Sequence, residues 1–396
     1  MKYLDVNTEE LTLLGAFWTA KEIEQQPDVW EKTHNIIEKN KVAINDFLKP
    51  LIAKRDLRII LTGAGTSAFA GGSIAPSLSL KLNKSVEAIA TTDLVSNPMQ
   101  FFQKNIPTLV VSFARSGNSP ESVAAVEIAS TVVNNCYHLV ITCNQDGQLY
   151  KYCDNNTNSL ALLMPTETND KSFAMTSSFT SMMFTALEVL FSDENLANTT
   201  KAIGIAAKQV ITQYNSQLKK IAEKNHSRVV FLGSGGLKSL AQESALKLLE
   251  LSDGKIVATY DSPLGFRHGP KTIVNDDTLV ILFMSNDSYT RKYDLDLLDE
   301  LRTDAEVGQV IAITTLADEC VNGDYILIDQ QQGLNDSLLM FPYIVCAQIY
   351  AFHHALTLNN KPDTPSASGT VNRVVKGVTI HPLNKDDLNL GKVLCI

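Results

Sequence analysis

Short apolar runs alternate with longer segments of helical periodicity through most of the chain. One set comprises Arg58-Ile-Ile-Leu-Thr, Thr108-Leu-Val-Val-Ser-Phe, His138-Leu-Val-Ile-Thr and Leu160-Ala-Leu-Leu-Met. A second set comprises Arg228-Val-Val-Phe-Leu, Thr278-Leu-Val-Ile-Leu-Phe, Gln309-Val-Ile-Ala-Ile-Thr and Tyr325-Ile-Leu-Ile. Strands that are apolar throughout, separated by helices, predict parallel sheets covered on both faces. Before them, residues 1–50 read as amphipathic helices, with Thr8-Glu9-Glu10 as a cap and Pro27 as an interruption. Each set is followed by a long apolar helix, over 176–191 and 338–356. A more polar helical segment, 195–223, lies between the sets. The tail after Lys361 is rich in Pro, Ser and Gly and is expected to be extended, with one short apolar run at 374–380.

The two sets are copies of each other. A shift of 170 residues lays Arg58 on Arg228, Gly63 on Gly233, Gly65 on Gly235 and Thr108 on Thr278. Two strand-and-turn matches at one offset identify a duplicated α/β domain. The expected organisation is a helical lead (1–50), a first domain (51–194), a helical linker (195–225), a second domain (226–360) and a tail that closes the site (361–396). Each domain is predicted to be a three-layer, flavodoxin-like parallel sheet flanked by helices.

Composition narrows the function. Of 396 residues, 44% are hydrophobic and 19% charged, and the net charge is −9, which argues against broad nucleic-acid binding. A small anion is still permitted, because helix N-termini bind phosphate without a basic surface. The six cysteines (136, 143, 153, 320, 346 and 395) form no C-x-x-C pair, so neither a zinc site nor a disulfide framework is signalled. They predict buried thiols in a reducing cytoplasm. The first residues lack a basic, apolar leader, and no uninterrupted apolar run reaches membrane-spanning length. No membrane partner, metal or cofactor is expected.

Candidate chemistry falls in different places in the two copies. In the first, Gly63-Ala64-Gly65-Thr66-Ser67 joins a strand to a helix, and Arg115-Ser116-Gly117-Asn118-Ser119-Pro120 does so after the next strand. Glycine lets backbone approach a ligand, hydroxyls donate, and the helix start offers free N–H groups. Turns at the carboxyl ends of neighbouring strands converge on one crevice, which suits a phosphate monoester. Ser119 also has a purely structural reading as a helix N-cap, with Pro120 at the first helical position. Thr176, within Lys171-Ser-Phe-Ala-Met-Thr176-Ser177-Ser178, precedes another helix and could close the crevice. In the second copy Leu237 replaces Ser67 and Asn286 replaces Ser116. That copy instead carries Glu243, Lys247 and Glu250, at i, i+4 and i+7 on one helical face. A solvated salt-bridged stripe is one reading of them. A buried acid–base group is the other, because the rest of that helix is apolar and His268 follows in a loop bounded by Gly and Pro. His353 and His354 read as core or interface histidines, and His34, His138, His226 and His381 stand in no motif.

Together TGAGTS, SFARSGNSPES, ESALKLLE and FRHGP resemble the sugar isomerase (SIS) domain family, in two tandem copies like the isomerase half of glucosamine-6-phosphate synthase. SFARSGNSPES and DKSFAMTSSF further resemble the AgaS-type galactosamine-6-phosphate deaminases, long described as tagatose-6-phosphate ketose/aldose isomerases. The resemblance implies that Thr66, Ser67, Ser116 and Ser119 hold a sugar phosphate, with Arg115 nearby; Gly65 and Thr176 are candidates for the same site from the reading of the turns. It implies that Glu250 shuttles the proton between C1 and C2, Lys247 stabilises the enediol-like charge, and Glu243 contacts the sugar near C2 or its nitrogen. A role for Glu243 in orienting Lys247 is equally open. His268 is implied to open the sugar ring across the interface of a homodimer, and Lys376 to match a C-terminal active-site lysine. With no glutaminase domain, the expected reaction is deamination of galactosamine-6-phosphate to tagatose-6-phosphate and ammonia. The alternatives are a plain ketose/aldose isomerase, a ketosamine-phosphate deglycase and a non-catalytic sugar-phosphate sensor.

Overall fold

The computed structural model describes residues 1–191, 196–304, 306–317, 322–329, 333–366, 368–369, 371–375 and 377–384. A small antiparallel pair, β1 (Lys2–Tyr3) and β2 (Val6–Asn7), leads into helices α1 (Thr8–Leu13), α2 (Phe17–Glu24), α3 (Gln26–Lys39) and α4 (Lys41–Ile52). The break between α2 and α3 falls beside Pro27, where proline fits the first turn of a helix. Asn7, not Thr8, is the N-cap of α1, and its side chain makes no capping bond.

The first copy runs β3 (Arg58–Thr62), α5 (Thr66–Leu82), β4 (Val86–Ala88), α6 (Thr91–Ser96), α7 (Pro98–Phe101), β5 (Thr108–Ala114), α8 (Pro120–Val132), β6 (Cys136–Thr142), α9 (Gln148–Asp154), β7 (Ser159–Leu163) and α10 (Ser177–Phe191). Helices α11 (Leu196–Gln209) and α12 (Asn215–Glu223) follow, joined through a π-helical turn at Val210–Tyr214. The second copy runs β8 (Arg228–Gly233), α13 (Gly236–Leu251), β9 (Val257–Asp261), α14 (Pro263–Phe266), β10 (Thr278–Phe283), α15 (Thr290–Thr303), β11 (Gln309–Thr314), β12 (Tyr325–Leu327) and α16 (Asp336–Thr357).

The strand orders are β4-β3-β5-β6-β7 and β9-β8-β10-β11-β12, and every ladder within them is parallel. Register repeats with the order: Arg58 pairs with Thr108, and Arg228 pairs with Thr278. The turns repeat as well. Gly65 and Gly235 both sit at φ 57°, ψ −127°, a conformation closed to residues with a side chain, so each turn needs glycine there. The sequence pattern predicts four strands per sheet, and each sheet has a fifth. β4 and β9 are outer strands with partly exposed residues, so they lack the continuous apolar run that marks a central strand.

The described residues form two compact units. One comprises Met1–Lys32, Asp170–Thr180 and Glu194–Arg373, and the other comprises Thr33–Asn169, Ser181–Asp193 and Val374–Ile396. In the first-copy unit, Ile60 and Val110 pack against Ala125, Ile128, Ala129 and Val132 of α8, and Ile380 and Leu383 from the tail join them. In the second-copy unit, Val230, Val280 and Leu282 pack against Leu297, Leu298 and Leu301 of α15. Helix α16 packs on α11, α12 and α13. It is long and apolar enough to cross a membrane by length and composition, and 94% of its apolar window is buried inside the protein. Four cysteines, Cys136, Cys143, Cys153 and Cys346, are buried free thiols. Cys320, Cys395 and Lys376 lie outside the described residues.

Candidate active site

Helix α13 follows Gly235 and is built from strong helix formers, with leucine and alanine at its buried positions. Its charged face is not turned to water. Glu243 is 0% exposed and Lys247 1%, whereas Leu249 is 43% exposed. The pattern inverts that of a solvated stripe, so the stripe is an internal charge group. The Lys247 ammonium stands 3.4 Å from Glu243 Oε1 and donates a short hydrogen bond to Glu250 Oε2. The ammonium is thus held between two carboxylates, one a turn before it and one a turn after it, and of the three Glu250 alone keeps contact with solvent, its side chain 22% exposed. A lysine set against a partly open carboxylate pairs a proton acceptor with a group that can steady developing negative charge.

The loop that carries His268 is pinned on both sides. Phe266 is fully buried in the apolar layer under α15. Ser262 caps α14 by accepting from Gly265 N at 3.1 Å. Arg267 reaches Glu300 at 2.8 Å, and Lys271 reaches Glu300 at 2.7 Å and Asp304 at 3.1 Å. Between these clamps His268 is exposed. Leu249, Val257 and Leu264, on α13, β9 and α14, are exposed as well.

In the first copy the two predicted turns flank the point where strand order reverses, at the carboxyl ends of β3 and β5. Thr66 and Ser67 open α5 and are 4% and 5% exposed, and Arg115 is 7% exposed. Ser116 and Ser119 are partly exposed. Asn144 Nδ2 donates to Ser116 O at 2.9 Å and Gln148 N to Asn118 Oδ1 at 3.0 Å, so β6 and α9 brace this turn. Ser119 occupies the N-cap position of α8, but its side chain makes no capping hydrogen bond. The structural reading of this serine therefore lacks the bond that would justify it. Three buried hydroxyl residues of the first copy, Thr62, Ser67 and Ser112, correspond at the 170-residue offset to buried Leu232, Leu237 and Leu282.

Thr176 lies in the other unit and is buried. Its N–H donates to Asp170 Oδ2 at 2.9 Å, and its hydroxyl lies 3.5 Å from Asp170 Oδ1. Asp170 also accepts from Ser178 N and Ser178 Oγ, so it caps α10. Glu22 holds the same loop from α2, accepting from the N–H groups of Lys171 and Ser172 and from the Ser172 hydroxyl. Burial, reinforced by the charge of Asp170, pushes Glu22 up to about 8. Carboxylates such as Glu22 and Asp170, set in helical or polar stretches, read as surface residues in a sequence, and no spacing flags them.

Four other histidines are tied to protein partners. His353 and His354 are buried, pair with Asn215 Oδ1 and Tyr350 OH, and are pushed by burial down to about 4. His34 pairs with Glu188 at 2.6 Å, and His138 with Ser130 at 2.8 Å. Among the described residues no cluster of His, Cys, Asp and Glu could hold a metal ion.

The model of the SIS domain matches the chain twice, over residues 51–192 and 220–357. The chain belongs to the SIS domain family. Among SIS relatives, it is 49% identical to the D-galactosamine-6-phosphate deaminase AgaS of Escherichia coli, over 92% of this chain and 96% of that protein. It is 46% identical to the protein of the same name from Shewanella sp. (strain ANA-3), over 96% of each. The solved structure of tagatose-6-phosphate ketose/aldose isomerase from Escherichia coli superposes with a TM-score of 0.83 at 45% identity, covering 93% of this chain and 97% of that one. These relatives are sugar-phosphate enzymes, and the tandem α/β architecture expected of the sequence is the one present.

Proposed function

We propose that this SIS protein deaminates galactosamine-6-phosphate to tagatose-6-phosphate and ammonia. The observation that carries the reading is the buried group on α13, in which Lys247 is held between Glu243 and Glu250. Near-half identity to proteins named for this reaction, along nearly the whole chain, supports it.

In the proposed sequence the sugar ring opens with the help of His268. Glu250 takes the proton from C2 and returns it at C1, leaving an imine at C2. Water adds to the imine, ammonia leaves, and the ketose phosphate remains. Lys247 steadies the negative charge that develops as the proton leaves carbon. Acid–base catalysis by a placed carboxylate supplies about 10² to 10⁴ in rate. Thr66, Ser67, Ser116 and Ser119, with Gly65 and Arg115, hold the phosphate in this reading. Thr176 is a further phosphate-binding residue in this reading, and Lys376 acts as a C-terminal active-site residue.

The division into a lead (1–50), two domains (51–194 and 226–360), a linker (195–225) and a tail (361–396) is part of the proposal. So is a homodimer in which His268 serves the neighbouring subunit. The exposure of His268 in a clamped loop, together with that of Leu249, Val257 and Leu264, supports it. A cytoplasmic location fits the buried free thiols.

The test is ammonia release measured side by side on galactosamine-6-phosphate, glucosamine-6-phosphate and their N-acetyl forms. Release from galactosamine-6-phosphate above the others is expected. Activity confined to glucosamine-6-phosphate overturns the substrate. Interconversion of tagatose-6-phosphate with its aldose and no ammonia from any amino sugar favours the isomerase reading, for which the name of the solved relative speaks.

A further inference from the structure

The second copy has lost the hydroxyls of the first, yet its two turns are occupied. Ser234, in the turn after β8, donates its hydroxyl to Asp294 Oδ1 at 2.7 Å. The N–H of Ser285, in the turn after β10, donates to Asp294 Oδ2 at 2.9 Å. One carboxylate, carried on α15 and 0% exposed, therefore spans both turns at the place where the strand order reverses. Asp336 completes the arrangement, accepting from Asn286 N at 2.8 Å and from Ser285 Oγ at 2.5 Å. The Arg291 guanidinium lies on the same turn, donating to Ser285 O at 3.1 Å.

Subtracting the offset of 170 residues turns Ser234, Ser285 and Asp294 into Ala64, Arg115 and Ala124. The first copy thus has a methyl group at the position from which the second copy sends a carboxylate. The backbone of the first turn is unchanged, since Gly65 and Gly235 share their dihedral angles, whereas the second turn is rebuilt: Gly117 has φ 66° and its counterpart Asp287 a negative φ. Burying a carboxylate is costly unless its oxygens are hydrogen-bonded, and here each oxygen has a donor from a different turn. That is the bonding a bound oxyanion would have.

We propose that the second copy keeps an anion cradle and that its anion is the chain's own Asp294. The copy holds a latent site for a phosphate-sized oxyanion, closed by an internal carboxylate at the switch point of the sheet. A tethered ligand acts at high effective concentration, so free phosphate does not displace it. The consequence is one open anion cleft per chain where duplication made two. Burial pushes Asp294 up to about 6 against the bonds from Ser234 and Ser285, so the closure works against desolvation and depends on those two donors.

The test is Asp294→Ala, with inorganic phosphate and formate as probes. Equilibrium dialysis is expected to give one more bound phosphate per chain than in the parent. The thermal midpoint of the variant is expected to rise with phosphate or formate by more than the parent's does. Counting the increment separates this proposal from the first-copy site, because failure there changes the parent's count and not the difference. If the alanine variant does not fold in plain buffer, Asp294→Ser leaves the crevice open while giving Ser234 a partner. Folding restored by either anion also supports the proposal. No increment in a folded variant, or no recovery of either variant with both anions, overturns it and leaves Asp294 as a structural tie between two loops.

Discussion

Lys247 Nζ stands 3.4 Å from Glu243 Oε1, and neither side chain reaches solvent. A buried ammonium beside a buried carboxylate is stable only as a pair. Lys247→Met leaves Glu243 facing a methyl group and is expected to cost about 3–5 kcal/mol of unfolding free energy. Adding Glu243→Gln removes the stranded charge and is expected to regain a substantial part of that loss. Urea denaturation of the parent, both single variants and the double variant measures the coupling. Additive effects would mean that Glu243 is neutral in the folded protein and contacts the sugar without orienting Lys247.

Glu250 differs from Glu243 in keeping an edge toward solvent, with 22% of its side chain exposed. A carboxylate that must exchange protons with a substrate needs that access. Glu250→Gln keeps the shape and an acceptor for Lys247 while removing the base. Ammonia release is expected to fall by about 10² to 10⁴, with sugar-phosphate affinity held. Near-normal turnover would sink the assignment, and lost affinity would move Glu250 from chemistry to binding.

Much of this was legible in the sequence because it rests on short-range rules. Apolar runs marked the central strands, the repeat gave two equivalent sheets, and glycine marked turns that need φ near 57° at Gly65 and Gly235. The stacking of Glu243, Lys247 and Glu250 follows from helical geometry alone. What the sequence could not show depends on tertiary burial. Asp294 and Glu22 sit in segments where acids are ordinarily solvated, and only packing turns them inward. β4 and β9 carry no continuous apolar run, Val86-Glu-Ala being short and Val257-Ala-Thr-Tyr-Asp mixed, in contrast to the other outer strands β7 and β12. The position of Ser119 before Pro120 marks it as an N-cap, but whether its hydroxyl bonds the helix is a matter of rotamer.

That rotamer gives a clean discriminator. A serine whose side chain caps a helix contributes about 1 kcal/mol, lost on replacement by alanine. Ser119 makes no such bond, so Ser119→Ala is expected to change stability by less than about 0.5 kcal/mol. If the hydroxyl serves the phosphate, KM for the sugar phosphate rises several-fold while kcat moves little, the signature of lost ground-state binding. Thermal melts and steady-state kinetics on one preparation read both. A stability loss with unchanged KM would return Ser119 to a structural role.

Glu22 predicts how stability varies with pH. It is 3% exposed, and burial, with Asp170 adding repulsion, pushes it from 4.5 to about 8. In the unfolded chain it ionises near 4.5, whereas in the folded chain it keeps its proton until about 8. Across that window the native state binds the extra proton, so the Glu22 contribution is complete below 4.5 and is lost as pH rises through 8. Glu22→Gln cannot ionise and is expected to flatten this part of the profile. Parent and variant are then closest at acid pH and diverge as pH rises, the parent losing stability relative to the variant with a slope difference of up to about 1.4 kcal/mol per pH unit in between. Unfolding free energies of both proteins, measured at intervals across the window, test it. Parallel profiles would show that Glu22 is ionised in the native state and that the three donors around it outweigh burial.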